Sequence, residues 1–233
     1  MKGFLFIVIL GISSTLFASS VVGSVELMSG ILKIKSDSSI KKKRVLLGQE
    51  LVTGDMIVSS KNSSAKLKLV DGSILVLDEK STLHFLSEQH AKQLEGKVLY
   101  KITSRDSKNS LVLQTPFAII GVKGTTFIVN ATENSSVSLQ EGLIGVRAIN
   151  EEFELYRKRV QKEFDDYINK QDLEFEKFKN AQNQYAKVES TKEFDLEAGN
   201  KISFEGVVVK ENALSVDDSS DFEYFEKLLE DMK

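Results

Sequence analysis

Between Val21 and about Ile149 the apolar positions recur every second residue in short runs. Ile31–Lys35, Ser64–Leu69, Ser73–Leu77, Leu111–Leu113, Thr125–Val129, Val137–Leu139 and Ile144–Ala148 each alternate, with glycines such as Gly48, Gly96 and Gly142 between them. Several short alternating runs divided by turn signals predict an all-β domain. One hairpin can be set in register. A two-residue Asp71-Gly72 loop would bring Leu75 and Leu77 opposite Lys68 and Lys66. A three-residue loop, Val70-Asp71-Gly72, puts Gly72 at the left-handed position and makes Leu67 face Leu75 and Ala65 face Leu77. The longer loop leaves both strands one apolar face and is the expected one.

The pattern changes over 151–187. Glycine and proline vanish, and Phe153, Tyr156, Val160, Phe164, Tyr167, Phe175 and Phe178 fall mostly three or four residues apart, among nine acidic and eight basic residues. That spacing predicts one long inserted helix or a helical hairpin over 151–189. Its rings, Phe153, Tyr156, Phe164, Tyr167, Phe175 and Phe178, either dock on the β-domain or form an exposed, coiled or partner-binding surface. Alternation returns at Phe194–Phe204, so the helical stretch reads as an insertion into one domain, 19–150 with 190–210. Residues 211–233 carry eight acidic and two basic side chains, with Phe222, Phe225, Leu228 and Leu229 at helical spacing. They form either a short amphipathic helix on the core or a loose acidic tail.

The first 18 residues stand apart. Lys2 precedes an apolar run from Phe4 to Ile12, with small residues behind it, the pattern of a secretory signal peptide cleaved after Ala18 or Ser20. The run is short for a membrane span, which needs roughly 20 apolar residues; left uncleaved, it would be the chain's only membrane contact. The expected location is the periplasm or cell envelope of a bacterium.

Composition then removes chemistry. The 233 residues include no Cys, no Trp and two His, so disulfides, thiolate metal sites and thiol catalysis are excluded. A net charge of −3 argues against nucleic acid as the main partner. His84 and His90 have neither a helical nor a zinc-site spacing. Gly121-Val122-Lys123-Gly124-Thr125-Thr126 lacks phosphate-loop spacing and precedes a strand. Lys41-Lys42-Lys43-Arg44 reads as a solvated basic loop in preference to a contact for an anionic surface. No cofactor or metal is expected, and no enzyme.

Taken in order, the segments resemble the periplasmic domain of the FecR family, named for the ferric-citrate regulator. The pieces are Val22–Val25, Leu47-Gly48-Gln49-Glu50-Leu51-Val52-Thr53-Gly54-Asp55-Met56-Ile57, Ala65–Ser73 with Asp71-Gly72, and Thr115-Pro116-Phe117-Ala118-Ile119-Ile120-Gly121-Val122-Lys123-Gly124-Thr125-Thr126-Phe127-Ile128-Val129. Val137–Val146 and Leu196–Gly199 are similar to the family's closing strands. The resemblance implies short strands in a twisted, solenoid-like β-sandwich. Gly54, Asp55, Asp71, Gly72, Pro116, Gly121, Lys123, Gly124 and Thr125 would then be structural motif positions, with Lys123 where the family has Arg. Regulators of the family carry an anti-sigma segment and a membrane span ahead of this domain, and a receptor for a transporter's signalling module behind it. This chain opens on a signal segment, so the domain carries over and the ferric-citrate role does not. The expectation is an exported binding or sensing module, linked to transmembrane signalling, whose partner is an envelope protein or a glycan. The alternative is a structural or carbohydrate-binding envelope protein.

Overall fold

The computed structural model describes residues 19–37, 39–103, 110–157 and 187–232. Two sheets pack face to face. Sheet B runs from an edge at β3 (Lys43–Arg44) through β2 (Leu32–Lys35), β5 (Met56–Ser59), β8 (Thr82–Phe85) and the first half of β9 (His90–Lys101). It continues through β10 (Leu111–Gln114), β11 (Ile119–Val122) and β14 (Leu143–Arg147) to β17 (Glu193–Glu197). Sheet A starts with β4 (Glu50–Val52), β1 (Val21–Ser29), β6 (Ser64–Leu69) and β7 (Ile74–Leu77), and then takes the second half of β9. Next come β12 (Thr126–Ala131), β13 (Ser136–Glu141), β18 (Asn200–Glu205), β19 (Val208–Ala213), β15 (Phe153–Arg157) and β16 (Lys187–Thr191).

β9 belongs to both sheets and changes over at Gly96, where φ is 87° and an added Cβ would lie 2.4 Å from the Ser81 Cα. Only glycine accepts both the left-handed backbone and that approach. Beside the crossing, Gln93 is fully buried. Its amide donates to the Gly96 and Val129 carbonyls (2.9 and 3.1 Å), and Tyr100 Oη donates to its Oε1 at 2.8 Å. The Tyr100 ring stacks on Phe127 at 4.9 Å, and burial pushes its hydroxyl well above the ordinary range. Every buried polar atom named here has a partner, which is what makes it tolerable in the interior.

The 65–77 hairpin has the predicted register, with Leu67 paired to Leu75, Ala65 to Leu77, and φ of 85° at Gly72. Inward side chains of both sheets, among them Leu32, Ile57, Leu83, Leu113, Ile120, Val137 and Ile202, form one continuous core.

Two expectations are revised. The stretch from 151 does not open as a helix: Phe153–Arg157 and Lys187–Thr191 are the antiparallel strands β15 and β16. Phe153 and Tyr156 are three apart and look helical, yet Phe153 and Leu155 alternate into the core, at 3% and 1% exposure. Phe153 therefore lies against Phe194 and Phe204, both ring centroids at 5.9 Å, and offers no partner surface. Tyr156 is half-buried on the same strand. Phe164, Tyr167, Phe175 and Phe178 lie outside the described residues, as does the signal segment 1–18. The β-domain also extends past 210 through β19, which pairs in parallel with β15.

The C-terminal alternatives resolve as a helix, α1 (Val216–Asp231), laid on the outer face of sheet A. Ser215 caps it reciprocally: Asp218 N–H donates to Ser215 Oγ at 3.2 Å, and Ser215 N–H donates to Asp218 Oδ2 at 2.9 Å. Phe222 and Phe225 press onto Val76, Leu99 and Ile128. No described helix is long and apolar enough to cross a membrane.

Candidate functional site

Both sheets turn one row of side chains inward, which leaves two outer faces. That of sheet A is covered over β7, β9 and β12 by α1, and the lysines beside the helix are engaged. Lys97 Nζ donates to Asp221 at 2.8 Å, Lys101 pairs with Glu226 at 3.4 Å, and Lys201 bonds the Asp218 carboxylate. The acidic run at 211–233 is thus the counter-charge of a basic sheet face. Burial pushes the Asp218 carboxyl up, but the hydrogen bonds from Lys201 and Ser215 together outweigh it and hold the group below its usual range.

No described element packs on the outer face of sheet B. Strand register carries one unbroken row across it: Lys35, Met56, His84, Lys92, Gln114, Ile119, Arg147 and Glu193. Cations dominate one end of that row and Glu193 closes the other. The neighbouring row runs His90, Val112, Gly121, Gly145, Asp195. Two glycines side by side remove two side chains from the surface. They floor a groove of about 460 Å³ walled by Ile119, Arg147, Phe194 and Asp195. At its rim Arg157 donates to the Asp195 carbonyl at 3.0 Å and lies over the Phe194 ring at 5.7 Å. An open, partly apolar face with a charge gradient suits recognition of a surface.

The structure places the motif residues at the joints that hold these faces. Asp55, 3% exposed, accepts from Val52 N–H at 2.9 Å and from Ser36 Oγ at 2.6 Å, and Gly54 (φ 90°) packs against Asp37. Asp71 accepts from Ser73 N–H and Oγ at 3.1 and 2.6 Å. Pro116 is exposed in the β10–β11 turn, where Thr115 Oγ1 accepts from Ala118 N–H at 2.9 Å. Lys123 is exposed after β11, and Gly124 (φ 64°) leads into buried Thr125, whose backbone exchanges hydrogen bonds with Ile102. Gly121 alone of the set lies in the groove. His84 and His90 go separate ways, His84 toward Asp37 at 3.9 Å and His90 to Ser87 Oγ at 3.2 Å. Among the described residues no group of three His, Asp or Glu side chains could hold a metal ion.

Sequence reading missed the row residues Lys35, Lys92, Gln114, Arg147 and Glu193. Alternation marks each as an outward position of a strand, but the order of strands that joins them is a tertiary fact.

Residues 55–145 match the family model described as FecR protein. Over that stretch the chain is similar to a FecR domain. The match spans β5 to β14 and takes in most of the open face. Two similar crystal structures are both described as "a putative anti-sigma factor from Parabacteroides distasonis ATCC 8503". They align with TM-scores of 0.48 and 0.47 at 14% identity, each over 72% of this chain and 63% of the other. The chain thus spans less than two thirds of those structures' length. Among curated proteins none matches.

Proposed function

We propose that the protein is an exported, non-catalytic binding and sensing module of the cell envelope, in a signalling role, and that it recognises an envelope protein through the outer face of sheet B. The observation that carries this reading is the asymmetry of the sandwich: its own helix covers one outer face, and among the described residues none covers the other. Arg147, Lys92 and Gln114 supply donors on that face, Ile119 and Val112 an apolar centre, and the paired glycines room for a partner's side chain. A glycan reading gains no support, because sugar stacking needs open rings. The exposed large aromatic among the described residues is Tyr224, on α1.

The test is capture from an envelope extract by the full chain and by a Lys92→Glu/Arg147→Glu double variant. A partner held by the first and lost by the second supports the reading; equal capture by both sinks it. Export is checked separately by sequencing the N-terminus of the chain recovered from the periplasm, which is expected at Ser19 or Val21.

A further inference from the structure

We propose that Ile40–Leu47 is a peripheral membrane contact, in which the cations of this segment meet anionic lipid head groups while Ile40, Leu46 and Leu47 enter the bilayer interface. This inference is independent of the sheet B reading and goes beyond it.

The segment combines two features found together here. Lys41, Lys42, Lys43 and Arg44 are consecutive and all exposed. Lys33, exposed on β2, pairs in register with Arg44 and adds a fifth cation. Not one of these five has a carboxylate partner among the described residues, whereas Lys66, Lys97, Lys101, Lys201 and Lys210 on sheet A are all paired. No Asp or Glu occurs between Asp37 and Glu50. In a chain of net charge −3 this is a local positive surface, free to attract anions.

Large aliphatic side chains flank the cations and point to solvent. Ile40 is 97% exposed, Leu46 69% and Leu47 63%. Their exposure is built into the backbone. Val45 between them is fully buried and its N–H donates to the Leu32 carbonyl at 3.0 Å. Leu46 to Gln49 is a turn with Gly48 at φ 77°, closed by Gln49 N–H to the Leu46 carbonyl at 3.1 Å. The Gln49 side chain accepts from Leu46 N–H at 3.1 Å. Glycine in that third turn position is what lets Leu47 occupy the tip. Before the cations, Lys41 N–H donates to Ser39 Oγ at 3.2 Å.

A polybasic stretch with protruding aliphatic groups fits an anionic bilayer, where the charges attract and the apolar tips gain by burial. Aliphatic tips neither stack on bases nor contact phosphates, so nucleic acid would leave them unused.

The chain contains no Trp, so Leu47→Trp in the full chain is a single reporter of this tip, blind to the apolar run at 4–12. On phosphatidylcholine vesicles containing phosphatidylglycerol its emission is expected to shift to the blue, and less so as salt rises. On phosphatidylcholine alone it should stay put. Adding Lys41→Gln, Lys42→Gln and Lys43→Gln should weaken the lipid affinity by about a hundredfold, at about fivefold for each cation. Leu46→Asp in the reporter should abolish the shift with all cations intact. An unshifted reporter on the anionic vesicles overturns the proposal, as does an equal shift on neutral ones. Polyglutamate binding as tightly as the vesicles would make the occupant an acidic protein surface and would also overturn it.

Discussion

The two outer faces of this sandwich begin from similar material and end in opposite states. Both consist of outward strand positions with lysines and a few aliphatic side chains. On sheet A, Val76, Leu99 and Ile128 form an apolar strip between Lys97, Lys101 and Lys201, and the chain supplies its own cover: an acidic helix with Phe222 and Phe225 on one side. On sheet B, two glycines, a single Arg and a cationic flank take the place of such a strip, and none of the described chain is complementary to it. An outer face closed by its own chain contributes to stability, and one left open is available to a partner.

The largest test of that contrast is truncation of the helix anchor. Phe225→Ala, at a fully buried ring, is expected to cost about 3–5 kcal/mol in urea unfolding. Loss of less than about 1 kcal/mol would mean that α1 does not seal its face.

A second test uses pH at both ends of the scale. The Asp218 carboxyl is held below its usual range in the folded chain, so its contribution is present above the unfolded value and fades as pH falls through the folded one. Tyr224 behaves oppositely. Burial first, then its hydrogen bond to Asp78 (2.9 Å) and the nearby carboxylates push its hydroxyl from 10.0 up to about 12. What it contributes is intact below pH 10 and is lost between about 10 and 12. Helix docking, followed by amide exchange in α1, should therefore loosen in acid and in alkali. Asp218→Asn should flatten the acid limb and Tyr224→Phe the alkaline one; an unchanged profile in either variant would refute that assignment.

Ser215→Ala removes the N-cap and is expected to cost about 1 kcal/mol. Smallest of all, Arg147→Ala on the open face should change stability by no more than about 0.5 kcal/mol while reducing partner capture. A large loss of stability there would show that the sheet B face is a structural surface after all.

Local rules made much of this fold legible. The 65–77 hairpin, with Gly72 at its left-handed position, followed from keeping one apolar face. Residues 153–157 were misread because Phe153 and Tyr156 fit a helical step; the competing signal, Phe153-Glu154-Leu155, was present at period two. It prevailed because β19 supplies a parallel edge for β15, and no local pattern announces a partner more than fifty residues away. Of the candidate site, the outward positions could be read and the surface could not. The row from Lys35 to Glu193 exists only once eight strands are ordered.

By itself the sequence determined the strand-rich class, the turn chemistry, the acidic charge of the last segment and the absence of thiol chemistry, since each depends on composition or on neighbours a few residues apart. Tertiary structure alone decided that β9 would serve two sheets, that α1 would lie on sheet A while no described element covers the outer face of sheet B, and that Gly121 would meet Gly145. Those outcomes rest on pairings between distant segments, and their energies come from burial and charge complementarity that no short window of sequence contains.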